Sequence, residues 1–239
     1  MNEILKQLEL ISCRGYSSHT IFTDFIDLIL YALQEDNERY LEIVHKYKND
    51  KPLGHREIDF FHMAFHLLQY EMRETNSDVL GELYMNWNLS NKLKGQFFTP
   101  KNVASMMAQI NNPMGFIIDP CCGSGVMLVE CIKVMSQEKL DNSIFFGQDI
   151  DMTCVKMTAL NLCFFNVHGY VIQGDSLGFE CNKVFKTTRS ILGGSIIELK
   201  EKELEDFKTW YVPAVKISMK ETSEIKKHVE AQFCLSFSG

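Results

Sequence analysis

Between the apolar run Phe116-Ile117-Ile118 and a second apolar stretch that begins at Val126 lies the segment Asp119-Pro120-Cys121-Cys122-Gly123-Ser124-Gly125. Few local structures accommodate that order: a short buried strand, a tight glycine loop, then a helix. Glycines at such a junction let the backbone approach a ligand closely, and the helix N-terminus offers unpaired N–H groups to an anionic moiety. Asp119 can take a cation, so a ligand that carries both charges, such as an amino acid, suits the junction. The loop lacks the G-x-G-x-x-G spacing of a dinucleotide fingerprint and has no Lys-Ser/Thr after its second glycine, which sets aside nicotinamide cofactors and the P-loop.

From that junction onward apolar runs alternate in type. Strands are predicted near Phe116–Ile118, Ile144–Phe146 and Tyr170–Ile172, with helices over Val126–Ser136 and Met152–Asn166. Alternation of this kind predicts a parallel sheet of the α/β class, with ligands at the carboxyl ends of its strands. Upstream, apolar residues keep a helical period over Ile21–Leu33 and again over Ile58–Met72, with a polar turn at Asn49, Asp50, Pro52 and Gly54 between them. Thr99-Pro100 reads as a helix start followed by an apolar face of Val103, Met106, Met107 and Ile110. The organisation expected is a helical region over residues 1–90 and an α/β domain over residues 91–239. Beyond Asp175, Lys183–Thr187 reads as a further strand and Glu198–Trp210 as a charged helix, a tail short for a complete sheet.

With 239 residues, 46% of them hydrophobic, the chain can bury a full core. The apolar stretch Phe25–Leu33 contains Asp27 and is far short of a bilayer span, and Glu3 and Glu9 do not suit a signal peptide, so a cytoplasmic protein with no membrane partner is expected. None of the eight cysteines has C-x-x-C spacing, and Met63 stands where a zinc protease would carry glutamate between His62 and His66. Reduced thiols and no metal are expected. A net charge of −7 argues against coating nucleic acid by bulk electrostatics, leaving Lys183, Lys186 and Arg189, or Lys92 and Lys94, as local groups able to meet phosphates.

The order of segments around the loop carries a resemblance. Asp78-Val79-Leu80-Gly81-Glu82-Leu83-Tyr84 and Gly95-Gln96-Phe97-Phe98-Thr99-Pro100 precede it, Phe146-Gly147-Gln148-Asp149-Ile150-Asp151 follows one βα unit later, and Gly174-Asp175-Ser176-Leu177 closes the series. This series resembles the S-adenosylmethionine site of adenine-specific DNA methyltransferases, in particular the modification subunits of type I restriction systems. The resemblance implies a Rossmann-like methyltransferase sheet, S-adenosylmethionine as cofactor, DNA as partner and a separate subunit or domain for sequence recognition. It also implies roles: Asp119, Cys121, Gly123 and Gly125 around the methionine end, Asp149 on the ribose hydroxyls, Asp175 on the adenine amine, and Phe97, Phe98 and Thr99 over the methionine part. Each position has a plainer reading as well, namely helix cap, Asx turn or hydrophobic staple.

Transfer to the exocyclic amine of adenine needs acceptors for that amine and a platform for the extruded base, which the family supplies through an Asn/Asp-Pro-Pro-aromatic loop after the fourth strand. That tetrapeptide is absent from all 239 residues. Asn112-Pro113-Met114 precedes the glycine loop, and Val212-Pro213 comes late behind Trp210 and Tyr211. Where the loop belongs the chain reads Lys183-Val184-Phe185-Lys186-Thr187-Thr188-Arg189, whose threonine hydroxyls provide at most one acceptor. Loss of one transition-state acceptor costs about 3 kcal/mol, roughly a hundredfold in rate. Three functions therefore compete: methyl transfer to adenine in DNA, a cofactor-binding regulatory or partner-binding module, and methyl transfer to a small molecule or protein. No catalytic residue is assigned.

Overall fold

The structure, a computed structural model, describes residues 2–89 and 96–213. Lys92, Lys94, Gly95 and Cys234 lie outside the described residues. Two compact units are present, Met1–Glu198 and Leu199–Gly239.

The first unit is a Rossmann-like α/β fold with an N-terminal helical region. Five helices open it: α1 (Asn2–Ser12), α2 (Ser18–Leu33), α3 (Asn37–Lys46), α4 (Glu57–Thr75) and α5 (Val79–Asn86). The two long periodic stretches of the sequence are α2 and α4. In α1, Ile4, Leu8 and Ile11 are buried at i, i+4 and i+7, a spacing that sets one face against the core. The polar turn before α4 is organised by Asn49, whose Nδ2 donates to the Val44 and Tyr47 carbonyls while its Oδ1 accepts from the Ile58 N–H. Phe22, Phe25 and Leu68 of these helices share one continuous core with Leu128, Phe145 and Val171 of the sheet region.

After α6 (Lys101–Asn111) come β1 (Phe116–Asp119), α7 (Val126–Val134), α8 (Gln137–Asp141), β2 (Ile144–Asp149), α9 (Met152–Phe164), β3 (Gly169–Gln173), β4 (Lys183–Thr188) and β5 (Ser195–Glu198). The strands lie side by side in chain order. β1 to β3 are parallel, with Ile118 opposite Phe146 and Phe146 opposite Tyr170. The expectation of a wholly parallel sheet fails beyond them: β4 returns antiparallel to β3, and β5 antiparallel to β4. Only residues 174–182 separate β3 from β4, too few for a parallel crossover, which takes about a dozen residues or more. Among the described residues β1 pairs on one side only, with β2.

Two further expectations are corrected at α6. Pro100 rather than Thr99 is its N-cap, and no side chain caps it. The helix buries Ala104 and Ala108, while Val103, Met106, Met107 and Ile110 remain 42%, 56%, 40% and 73% exposed. Small residues permit a closer approach of helix axes than methionines would, so the alanine stripe faces inward.

In the second unit residues 201–213 are helical. Phe207 there stacks on Tyr211 and meets Trp210 edge-on, both at 5.0 Å between ring centroids.

Candidate functional site

The carboxyl ends of β1, β2 and β3 open into a crevice of about 770 Å³, lined by Gln96, Phe97, Phe98, Pro120, Cys121 and Gly123, and by Asp149 to Asp151, Cys154 and Gly174 to Leu177. Its volume lies within the roughly 300–1,000 Å³ typical of small-molecule and cofactor sites. The glycine loop forms one wall. Gly123 has φ +56° and Gly125, the N-cap of α7, has φ +90°, both in the left-handed region that disfavours side chains. A Cβ on Gly123 would come within 3.1 Å of the Phe98 ring, so the loop and that aromatic are packed as closely as the backbone allows.

Asp149 ends β2 at the centre of the crevice. The Gly123 N–H donates to its Oδ2 at 2.9 Å and the Asp151 N–H to its Oδ1 at 2.9 Å. Each carboxylate oxygen can accept twice, so this acid is fixed by backbone donors and still has one acceptor site per oxygen. Asp151 caps α9 by accepting from the Thr153 N–H at 2.8 Å, and its other oxygen accepts from Gln96 Nε2 at 3.0 Å. Asp175 accepts from the Leu177 N–H at 2.9 Å through Oδ1, which is the Asx turn of the plainer reading, while its Oδ2 has no bond to a described residue.

Asp119 lies at the end of β1 but is not among the crevice-lining residues. Its Oδ1 accepts from the Cys121 N–H at 3.2 Å. Burial, reinforced by the nearby Asp149 carboxylate, pushes its carboxyl above the usual range. A Cβ on Gly125 would lie 3.0 Å from the Thr158 side chain, and Thr99 lines a separate cavity of about 210 Å³ that Phe98 also borders. Of the cofactor residues predicted from sequence, the structure therefore brings Phe97, Phe98, Cys121, Gly123, Asp149 and Asp175 to one crevice and sets Thr99, Asp119 and Gly125 outside its lining. Among the described residues no Lys or Arg lines it.

Each of the three basic residues after the site meets a neighbour. Lys183 pairs with Glu198 at 3.3 Å, Lys186 lies 6.0 Å over the Tyr170 ring, and Arg189 pairs with Asp141 beyond the far end of β4. Thr187 is at that far end too, opposite Gly169, and its buried hydroxyl donates to the Val167 carbonyl at 3.0 Å. The idea that Thr187 or Thr188 accepts from a target amine is corrected by the direction of β4, which carries both threonines away from the crevice.

Sequence reasoning missed the polar groups that hold the loop from behind. Thr158 Oγ1 donates to the Gly123 carbonyl at 2.9 Å, while Gln148 Nε2 holds the neighbouring 174–182 segment by donating to the Glu180 carbonyl at 2.8 Å. Asn161 Nδ2 donates to the Ser124 carbonyl at 2.8 Å and to Asp78 Oδ1 at 2.7 Å. The available signal was polar residues inside apolar runs, Thr158 and Asn161 within α9, since a buried polar group needs a partner. Among the described residues no cluster of three or more His, Cys, Asp or Glu is placed to hold a metal, and no helix is long and apolar enough to cross a membrane.

Residues 75–192, which contain the glycine loop, Asp149 and Asp175, match the protein family described as N-6 DNA Methylase. The chain is 25% identical over 162 residues to the type I restriction enzyme MjaIX methylase subunit of Methanocaldococcus jannaschii, covering 64% of this chain and 29% of that protein. It is 28% identical over 119 residues to the MpnII methylase subunit of Mycoplasma pneumoniae, covering 45% of this chain and 22% of that one. With the HindI methylase subunit of Haemophilus influenzae it shares 26% identity over 152 residues, covering 57% and 34%. The chain thus spans about a third or less of the length of these relatives. No solved structure matches it. The matched segment, the sheet and the motif order agree, and residues 75–192, just under half of the chain, are similar to the N-6 DNA Methylase family.

Proposed function

We propose that this chain is a cofactor-binding module of the DNA methylase family, which holds S-adenosylmethionine in its crevice and does not by itself methylate adenine. The observation that carries this reading is the acidic crevice at the ends of β1 to β3. It has Asp149, Asp151 and Asp175 in its walls and, among the described residues, no lining cation and no acceptor loop from β4. S-adenosylmethionine fits that donor set. It is cationic at its sulfonium and ammonium groups, its ribose offers two hydroxyl donors and its adenine an amine donor, and carboxylates answer all of these. Asp149, braced by two backbone N–H groups, would take the ribose hydroxyls. Asp175 would take the adenine amine, and Phe97, Phe98, Cys121 and Gly123 would close over the methionine end. When bound, the cofactor supplies an electrophilic methyl group.

The described residues supply no matching acceptor site for a target amine. Methylation of an exocyclic amine needs acceptors fixed beside the methyl group, and each one missing costs about a hundredfold or more in rate. β4 points its end elsewhere, and the Asn/Asp-Pro-Pro-aromatic sequence is absent. Target recognition and the acceptor loop would then come from a partner chain or a further domain. A second reading, methyl transfer to adenine by this chain, is favoured by the family match over residues 75–192.

Calorimetry with S-adenosylmethionine, followed by a labelled-methyl assay on mixed-sequence DNA, separates the two. The module reading expects binding weakened about tenfold or more in Asp149→Ala, because charge-assisted bonds to the ribose are each worth about 1.5–3 kcal/mol, and no label in DNA. No binding by the wild type would refute the cofactor site; label transferred by the wild type and lost in Asp149→Ala would establish the second reading.

A further inference from the structure

The glycine loop is fastened from below by a buried acid that never touches the crevice. Asp78, 5% exposed, is the N-cap of α5. Its Oδ1 accepts from the Gly81 N–H at 2.8 Å and from Asn161 Nδ2 at 2.7 Å, and its Oδ2 accepts a short hydrogen bond from Ser124 Oγ. Ser124 sits between the two loop glycines and is 1% exposed; Asn161 is fully buried. Asn161 also donates to the Ser124 carbonyl, so serine and carboxylate are gripped by the same amide. One carboxyl thus joins α5, the Gly123–Gly125 loop and α9. The packing around it has no slack, since a Cβ on Gly81 would lie 2.2 Å from Ser124 Oγ and 2.3 Å from Asp78 Oδ2.

Among the described residues no cation pairs with Asp78. A buried ionised carboxylate without a counter-charge is expensive and persists only when hydrogen bonds replace water. Burial pushes this carboxyl up to about 6, against the pull of its bonds from Ser124, Gly81 and Asn161. The charged groups around it are few. Glu82 on α5 adds to the rise, the Cys154 thiol on α9 is itself pushed up in part by Asp78, and Lys101 at the start of α6 lines the same 210 Å³ cavity.

We infer that Asp78 is a positioning residue for the cofactor site, acting through the Ser124 hydroxyl to hold the glycine loop in its ligand-ready conformation. Ionised, the carboxylate receives the serine proton in a charge-assisted bond; protonated at Oδ2, it must donate to Ser124 instead, and the bond becomes a neutral one of about half the strength. The other two partners, Gly81 N–H and Asn161 Nδ2, donate in either state, so only the bond to the loop serine reverses its direction. The inference rests on the cofactor reading above, which the wild-type titration tests separately.

Asp78→Asn keeps the shape and presents an amide N–H to Ser124, which imitates the protonated acid at every pH. Affinity for S-adenosylmethionine is measured by calorimetry for wild type and variant from pH 5 to pH 8. Above pH 7 the wild type should bind about tenfold more tightly than Asp78→Asn, the difference between a charge-assisted and a neutral bond. The ratio should shrink toward one near pH 5. Other acids of the crevice titrate equally in both proteins and cancel in that ratio. A ratio of one throughout, or one that stays constant with pH, overturns the inference while leaving the cofactor site intact. No binding by the wild type defeats the cofactor reading itself. Should Asp78→Asn fail to fold, Ser124→Ala carries the same comparison: it removes the coupling hydroxyl, and its ratio to wild type must show the same dependence on pH.

Discussion

Cys121 and Cys122 are neighbours with opposite surroundings, and the contrast tests the crevice directly. Cys121 is exposed and lines the crevice, whereas Cys122 is buried under Thr158, whose hydroxyl lies 3.4 Å from its sulfur. Burial first, and then the Asp119 and Asp149 carboxylates, push the Cys122 thiol well above its ordinary value, and Cys154 is raised for the same reason by burial beside Asp149 and Asp151. The thiolate is the reactive form, so iodoacetamide at pH 7.5 should modify Cys13 and Cys121 and spare Cys122, Cys154 and Cys163 in the folded protein. S-adenosylmethionine at ten times its Kd should then slow alkylation of Cys121 about tenfold by mass action and leave Cys13 unchanged, read by peptide mass spectrometry. Equal protection of both cysteines, or of neither, would count against a ligand over the glycine loop.

At the level of elements, α9 decides how much of the molecule acts as one body. Its Lys156 reaches Asp27 on α2 in an ion pair whose partners are 14% and 13% exposed, tying the helical region to the layer behind the sheet. Burial raises the Asp27 carboxyl, with the Lys156 charge opposing that rise. Lys156→Met should therefore strand a carboxylate and lower the unfolding free energy by about 3 kcal/mol, as for other broken buried pairs. Asp27→Leu with Lys156→Met should recover most of that loss, and urea midpoints of the two variants make the check. The strand-helix alternation from Phe116 to Ile172 was legible because each element there is set by local periodicity and by the glycine loop. The direction of β4 was not read from its own residues, since Val184, Phe185 and Thr187 suit either pairing. It was present in the spacing, because residues 174–182 are too short for a crossover. The inward face of α6 was misread for a different reason: periodicity marks both its methionine stripe and its alanine stripe, and only the close packing partner α7 selects the smaller one. Asp149 and Asp175 were legible as strand-end acids, whereas the dependence of the loop on Asp78 and Asn161 joins positions 83 residues apart and leaves no local trace.

Across the whole molecule the charge distribution bears on how such a module meets DNA. A net charge of −7 and an acidic crevice repel phosphates at long range, so any contact must come from basic groups free to release counterions. The three predicted after the cofactor segments are each engaged: Lys183 with Glu198, Arg189 with Asp141, and Lys186 against the Tyr170 ring. Each neutralised phosphate contributes about −0.9 to the slope of log K against log salt for duplex DNA. While they stay engaged, these three groups should add no more than about −1 to the slope between 50 and 200 mM salt. The double variant Lys186→Ala, Arg189→Ala should be indistinguishable from wild type, with fluorescence anisotropy on a mixed-sequence duplex as the measurement. A slope near −3 in the wild type that flattens by about 2 in the variant would instead place the DNA on β4, and would mean that Arg189 gives up Asp141 for phosphate. With these three groups engaged, the electrostatic share of DNA binding falls to basic groups elsewhere, on this chain or on a partner. Adding a DNA-binding partner should then steepen the slope without altering the affinity for S-adenosylmethionine, because none of the described residues lining the crevice is basic.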